Sequence, residues 1–261
     1  MHLKYLGQTG FLISLEEGNF LIDPYLSNYV VSSGIGDARY FSRQYPPPVS
    51  IEELKNIRAI LITHDHADHC DPETVLPILS NNPDCRVIAP EPAHEILVKK
   101  GMDGSRCLTP SLTNWQSIGT IHFIALPSAH YELDQDTKTG AYPYLGFVIK
   151  HRDVILYHAG DTILYDGMVE QLKKISKDYD VCCLPANGRD ANREALGIIG
   201  NLQPQEALWL VDQIHANTLI PTHNDLFKSN QIDPSILTNI QEAQYPAQTV
   251  KWLRAGEELI L

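Results

Sequence analysis

Thr63-His64-Asp65-His66-Ala67-Asp68-His69-Cys70-Asp71 follows directly on the apolar run Ala59-Ile60-Leu61-Ile62. The run reads as a buried strand, and nothing in strand or turn propensity asks for three imidazoles and three carboxylates immediately after it. Buried together, such groups pay desolvation and like-charge repulsion unless cations neutralise them. Imidazole nitrogen and carboxylate oxygen suit Zn²⁺, Mn²⁺ and Fe²⁺, and a tight turn after a strand directs alternate side chains toward two ions.

Two ions need further donors. Three other apolar runs end in one: Leu126-Pro127-Ser128-Ala129-His130, Tyr157-His158-Ala159-Gly160-Asp161 and Ile220-Pro221-Thr222-His223. Strand ends that meet at one edge of a sheet are where an α/β fold builds its site, so the repeated placement says more than any one residue. The rest of the chain agrees with that class. Residues 2–7, 11–18 and 19–24 read as short strands broken by turns. From Ser50, which forms a capping box with Glu53, strand and helix alternate. Strands are expected within 85–90, 120–128, 144–151, 153–161, 180–188 and 218–223, and helices from about Asp71, Glu91, Asp166, Gln203 and Asp233. Residues 27–48 and 131–140 lack periodicity and read as loops over a site. No repeat or shift of composition divides the chain, so residues 1–261 are expected to form one α/β domain.

The 32 acidic residues outnumber 20 lysines and arginines, a formal charge of −12. That sign repels phosphate backbones and anionic membranes, which disfavours general nucleic-acid binding. It leaves room for a small anionic metabolite, which feels the local charge of a metal site more than the whole surface. Cys70, Cys85, Cys107, Cys182 and Cys183 show no zinc-ribbon or redox spacing and read as structural thiols. The opening residues form no secretion signal and no run approaches membrane-spanning length, so a reducing cytoplasm is the expected location and membrane insertion is not expected.

The motifs HDHADH at 64–69, His130, AGDT at 159–162 and PTH at 221–223 resemble those of the metallo-β-lactamase-fold hydrolases. Within that group LGQTGFLI at 6–13, IDPYLS at 22–27, THDHADHCDPET at 63–74, YHAGDT at 157–162 and NGRDANR at 187–193 are similar to the L-ascorbate-6-phosphate lactonases. The resemblance implies a four-layer αββα sandwich with two divalent metals at one edge, between the sheets. It places His64, His66 and His130 on one metal and Asp68, His69 and His223 on the other, with Asp161 bridging them. Asp23 would lie just beneath, hydrogen-bonded to a ligand without binding metal itself. Asp68 and Asp161 would be the catalytic carboxylates, acting with metal-activated water, so that no serine or cysteine nucleophile is needed. The lactonase likeness favours Mn²⁺ over Zn²⁺ or Fe²⁺, a phosphorylated sugar-acid lactone as substrate, and a homo-oligomer.

Other readings compete. The same chemistry at phosphorus would make a phosphodiesterase for a cyclic nucleotide or another small phosphodiester, and an idle site would make a non-catalytic metal-binding sensor. Arg189 and Arg193 are candidates to grip the substrate's anionic end, with Lys228 behind them, or else they pair with Asp190 and Glu194 on a solvated loop. Asp71, before Pro72 and Glu73, reads as a helix cap. His158 reads as a packed histidine.

Overall fold

Strands of the amino-terminal half build one sheet in the computed structural model, which describes residues 1–195 and 197–261. They are β1 (His2–Gly7), β2 (Gly10–Leu15), β3 (Gly18–Ile22), β4 (Ile57–Leu61), β5 (Arg86–Ile88) and β6 (Cys107–Leu108). A second sheet holds β7 (Gln116–Ile118), β8 (Ile121–Pro127), β9 (Leu145–His151), β10 (Val154–His158), β11 (Tyr179–Pro185), β12 (Ala216–Thr222) and β13 (Thr249–Val250). The final strand, β14 (Glu258–Ile260), returns to pair antiparallel with β1. Among the described residues each sheet thus has seven strands, ordered 14-1-2-3-4-5-6 and 13-12-11-10-9-8-7.

Helices α1 (Tyr29–Ser32) and α2 (Ala38–Phe41) lie in the aperiodic segment before β4, and α3 (Pro72–Asn81) and α4 (Glu91–Lys99) follow it. Four more, α5 (Met168–Ile175), α6 (Ala191–Ala195), α7 (Pro204–Gln213) and α8 (Pro234–Gln244), alternate with the later strands. Strand alternation sorts the side chains into layers. Ala59 and Leu61 of β4 pack between the sheets with Phe11, Phe123 and Phe147, while Ile60 packs outward with Val75, Ile78 and Leu97 of α3 and α4. In β11, Val181 and Cys183 face the opposite sheet, and Cys182 and Leu184 face α5, α7 and α8. The order helix, sheet, sheet, helix is the αββα sandwich that the motifs implied.

The helix starts follow their local signals. Asp71 caps α3 by accepting from the backbone N–H groups of Glu73 and Thr74, and Asp233 caps α8 through Ser235. The Ser50–Glu53 box opens only a single 3₁₀ turn at Ile51–Glu53. Residues 131–140 carry no helix or strand, as expected. The elements absent from the sequence reading (α1, α2, α6, β6, β7, β13 and β14) span two to five residues each, too few to show a period.

Parallel pairing sends the functional strand ends to one edge. Strands β3 and β4 run parallel, as do β10, β11 and β12, and β8 runs antiparallel to β9, which runs antiparallel to β10. A hydrogen bond from Leu145 N–H to Thr63 O, 3.0 Å, ties the two sheets together there. Gly160 closes that edge with φ +62, where a Cβ would stand 2.8 Å from both Leu145 O and Thr63 Cβ. We expect Gly160→Ala to lose about 3 kcal/mol of stability, read as a lower urea midpoint. A midpoint equal to wild type would mean that the turn yields to the methyl group.

Candidate metal centre

The convergence brings all seven expected ligands together. His64, His66, His130 and Asp161 present donor atoms within 4.8 Å of one another, and Asp68, His69 and His223 form a second such group. In the first group the rings of His64 and His66 are 4.5 Å apart and those of His66 and His130 are 4.9 Å apart. Asp161 touches the second group as well: its Oδ1 is 3.3 Å from His69 Nε2 and its Oδ2 is 3.1 Å from His223 Nε2. His64, His69, His130, Asp161 and His223 are buried, while His66 and Asp68 are partly open.

Hydrogen bonds beneath the cluster set the tautomers. Asp23, fully buried just after β3, accepts from Thr63 N–H at 2.8 Å and from the Thr63 hydroxyl at 2.7 Å. With its proton committed to Asp23, the Thr63 hydroxyl can only accept from His64 Nδ1, 3.0 Å away. His69 Nδ1 lies 2.8 Å from Asp23 Oδ2 and donates to it. Both rings therefore turn Nε2 away from these partners and toward the cluster, as metal-binding imidazoles do. Asp23 and His223 adopt φ of +40 and +60, strained for residues other than glycine and typical of sites where surroundings over-determine the backbone.

Divalent cations fit this donor set. His64 Nε2 and His130 Nδ1 are buried without hydrogen-bond partners, each costing about 1–3 kcal/mol if nothing meets it, and His69 Nε2 and Asp161 Oδ1 face only each other, 3.3 Å apart and out of hydrogen-bond alignment. Without a cation, protons fill part of the gap. Burial opposes charge on His69 and His223, but the carboxylates of Asp161 and Asp68 overcome it, lifting His69 well above the usual imidazole range and His223 to about 9. Burial acts on Asp161 in the opposite sense, yet His223 and His69 hold it well below the usual carboxylate range. Burial, helped by the neighbouring imidazoles of His66, His223 and His69, pushes His130 down to about 4 despite Asp161 nearby, so its imidazole is neutral. A site that must gather protons onto two imidazoles to balance its carboxylates is one that a cation would complete.

Residues 18–224 match the family model described as the Beta-lactamase superfamily domain. The chain belongs to this superfamily. Its similarity reaches beyond the matched span: the UPF0173 metal-dependent hydrolase of Caldivirga maquilingensis is 29% identical over 265 residues, covering 100% of this chain and 98% of the relative. Among solved structures, a possible metal-dependent hydrolase from Veillonella parvula superposes with a TM-score of 0.77 at 15% identity, over 100% of this chain and 99% of that one. An isothiocyanate hydrolase from Delia radicum gut bacteria gives 0.75 at 17% identity, over 100% and 99%. At such identities these structures share the superfamily's fold.

A cavity of about 620 Å³ opens over the cluster, lined by Asp68, His66, Arg39, Tyr40, Ile35 and Ile199 among others. Arg189 and Arg193 do not line it. Arg189 donates two 2.7 Å bonds to Glu206 and one to Asn201 O, and Arg193 donates to Asp190 at 2.6 Å and to Asn187 O. The expected anion grip at 189 and 193 is thus taken up by the protein's own acceptors, and Lys228 is exposed outside the cavity. Among the described residues that line the cavity, the cationic side chain is that of Arg39, from a segment whose sequence carries no motif. His158 is a packed histidine: Nδ1 accepts from Gly160 N–H and Nε2 donates to Thr9 O. All five cysteines are free, and burial raises the Cys70 and Cys183 thiols, which keeps them unreactive. No helix among the described residues is long and apolar enough to cross a membrane.

Proposed function

We propose that this chain is a metal-dependent hydrolase that opens the lactone ring of a small phosphorylated sugar acid such as L-ascorbate 6-phosphate. The observation carrying the hydrolytic reading is the pair of buried histidine and aspartate groups sharing Asp161, with unpartnered nitrogens turned inward. The likeness of residues 6–13, 22–27 and 187–193 to the lactonases supports the substrate class, as does a cavity of metabolite size. In this reading His64, His66 and His130 would hold one cation and Asp68, His69 and His223 the other, with Asp161 within reach of both groups. Mn²⁺ is the first choice, with Zn²⁺ and Fe²⁺ compatible with the same donors. Bound cations would supply Lewis acidity, lowering the pKa of water toward neutrality and polarising a carbonyl.

The chain's own residues do the remainder. Asp68 reaches the cavity, where one carboxylate oxygen would face the cation and the other is left to orient the attacking water and take its proton. Asp23 and Thr63 keep the imidazoles aimed. Val30, Ile35, Phe41 and Ile199 give the cavity an apolar wall, against which the carbon skeleton of a small substrate can pack. Arg39 grips the phosphate. Its present partner, Asp37, holds it in an exposed pair, 77% and 43% accessible, and such a pair exchanges for a ligand at little cost.

The test is turnover of L-ascorbate 6-phosphate followed by NMR, using protein stripped of metal and reloaded with Mn²⁺ or Zn²⁺. We expect metal-dependent ring opening, with Arg39→Ala raising KM about tenfold, roughly 1.4 kcal/mol, and leaving kcat within a factor of about two. Absence of turnover by protein shown to carry two ions would sink this substrate and bring phosphodiesters forward.

A further inference from the structure

Gln8, in the turn between β1 and β2, is fully buried and adopts φ +58. An elaborate support keeps it there. Asp225 Oδ1 accepts from the Gln8 N–H at 3.1 Å, the hydroxyls of Tyr5 and Tyr45 both lie against the Asp225 carboxylate, and His223 N–H donates to Gln8 O at 2.6 Å. A strained backbone that is this heavily over-determined calls for a function in the side chain.

That side chain reaches the second ligand group. Gln8 Nε2 donates to Asp68 Oδ2 at 2.7 Å and lies 3.0 Å from His223 Nε2, while Gln8 Oε1 is buried with no hydrogen-bond partner. The atoms it contacts, Asp68 Oδ2 and His223 Nε2, are ones that a cation there would claim. A cation on His223 Nε2 would repel the amide N–H that faces it 3.0 Å away, so the amide must turn when the cation arrives. A half-turn about its terminal torsion exchanges Nε2 for Oε1, a neutral oxygen donor.

We propose that Gln8 Oε1 is a further protein donor of the Asp68/His69/His223 site, beside the shared Asp161. A neutral carbonyl oxygen suits Mn²⁺ and adds no charge to a site that already holds carboxylates. The proposal rests on the two-cation reading above, and its test separates the two. Metal-stripped wild type, Gln8→Ala, Gln8→Met and Gln8→Glu are titrated with Mn²⁺, with free Mn²⁺ followed by its EPR signal.

Wild type should take up two ions. Gln8→Ala should keep one tight ion and weaken the other about 10- to 100-fold; Gln8→Met, which preserves length without an oxygen, should do the same, and Gln8→Glu should restore tight uptake of both. Far-ultraviolet circular dichroism of each stripped variant checks folding, and the Met and Glu pair decides the matter should Ala fail to fold. Two ions bound at wild-type affinity by Gln8→Ala or Gln8→Met would overturn the assignment, even with turnover reduced, because Gln8 would then only steady Asp68. Wild type that takes up fewer than two ions would instead overturn the two-cation reading itself.

Discussion

Asp161→Ala is expected to lower kcat/KM by about 10³-fold or more, a loss of roughly 4 kcal/mol of transition-state stabilisation. Asp161 is buried, placed by the Gly160 turn at the end of β10, and its two oxygens reach toward His69 and His223. Among the described residues no other carboxylate touches both donor groups at this depth, since Asp68 lies at the cavity face, 16% exposed. Its removal therefore breaks the bridge between them while leaving the six other candidate ligands in place. Steady-state kinetics together with metal analysis check the prediction. Turnover near the wild-type rate would put Asp161 outside the reaction, and a variant that binds substrate as wild type from a protein with no turnover would favour a sensor.

Stripping the metals should abolish turnover and make stability depend on pH in a new way. In stripped protein His223 has its pKa raised from 6.5 to about 9 by Asp161 and Asp68 against the opposing effect of burial. A folded pKa above the unfolded value means that this contribution is fully present below about pH 6.5 and disappears as pH rises through about 9. The site alone accounts for roughly 3 kcal/mol over that window. Cation binding displaces the protons on His69 and His223, so it should release protons at pH 7 and tighten as pH rises toward 9. Calorimetric titration in buffers of different ionisation enthalpy reads the proton release, and melting curves from pH 6 to 9.5 read the stability. With free ion at about 1,000 times Kd, loaded protein should exceed stripped protein by about 4 kcal/mol for each ion bound. Identical alkaline limbs for the two forms would separate His223 from cation binding.

The metal cluster and the layers were written locally in the chain. HDHADH after an apolar run, and single donors at 130, 161 and 223 after three others, are statements about strand ends; every one of those strands formed, and parallel pairing then had to bring the ends to one edge. Helix starts at Asp71 and Asp233 were equally legible, because a cap bonds only to backbone two or three residues away. Of the partners at the cluster, motif resemblance placed Asp23, which meets His69 across 46 residues. Two other pairings were not legible: Gln8 meets Asp68 across 60 residues, and away from the cluster Arg189 meets Glu206 across 17.

Period and spacing read from the sequence by itself determined an α/β chain with seven candidate ligands at strand ends, and the resemblance of its motifs implied the sandwich. Which side chain stands opposite across a sheet edge or a loop depends on how whole layers pack. That is why only the tertiary structure decided that Arg39, and neither Arg189 nor Arg193, lies over the cavity, and that a glutamine from the first turn reaches the metal cluster.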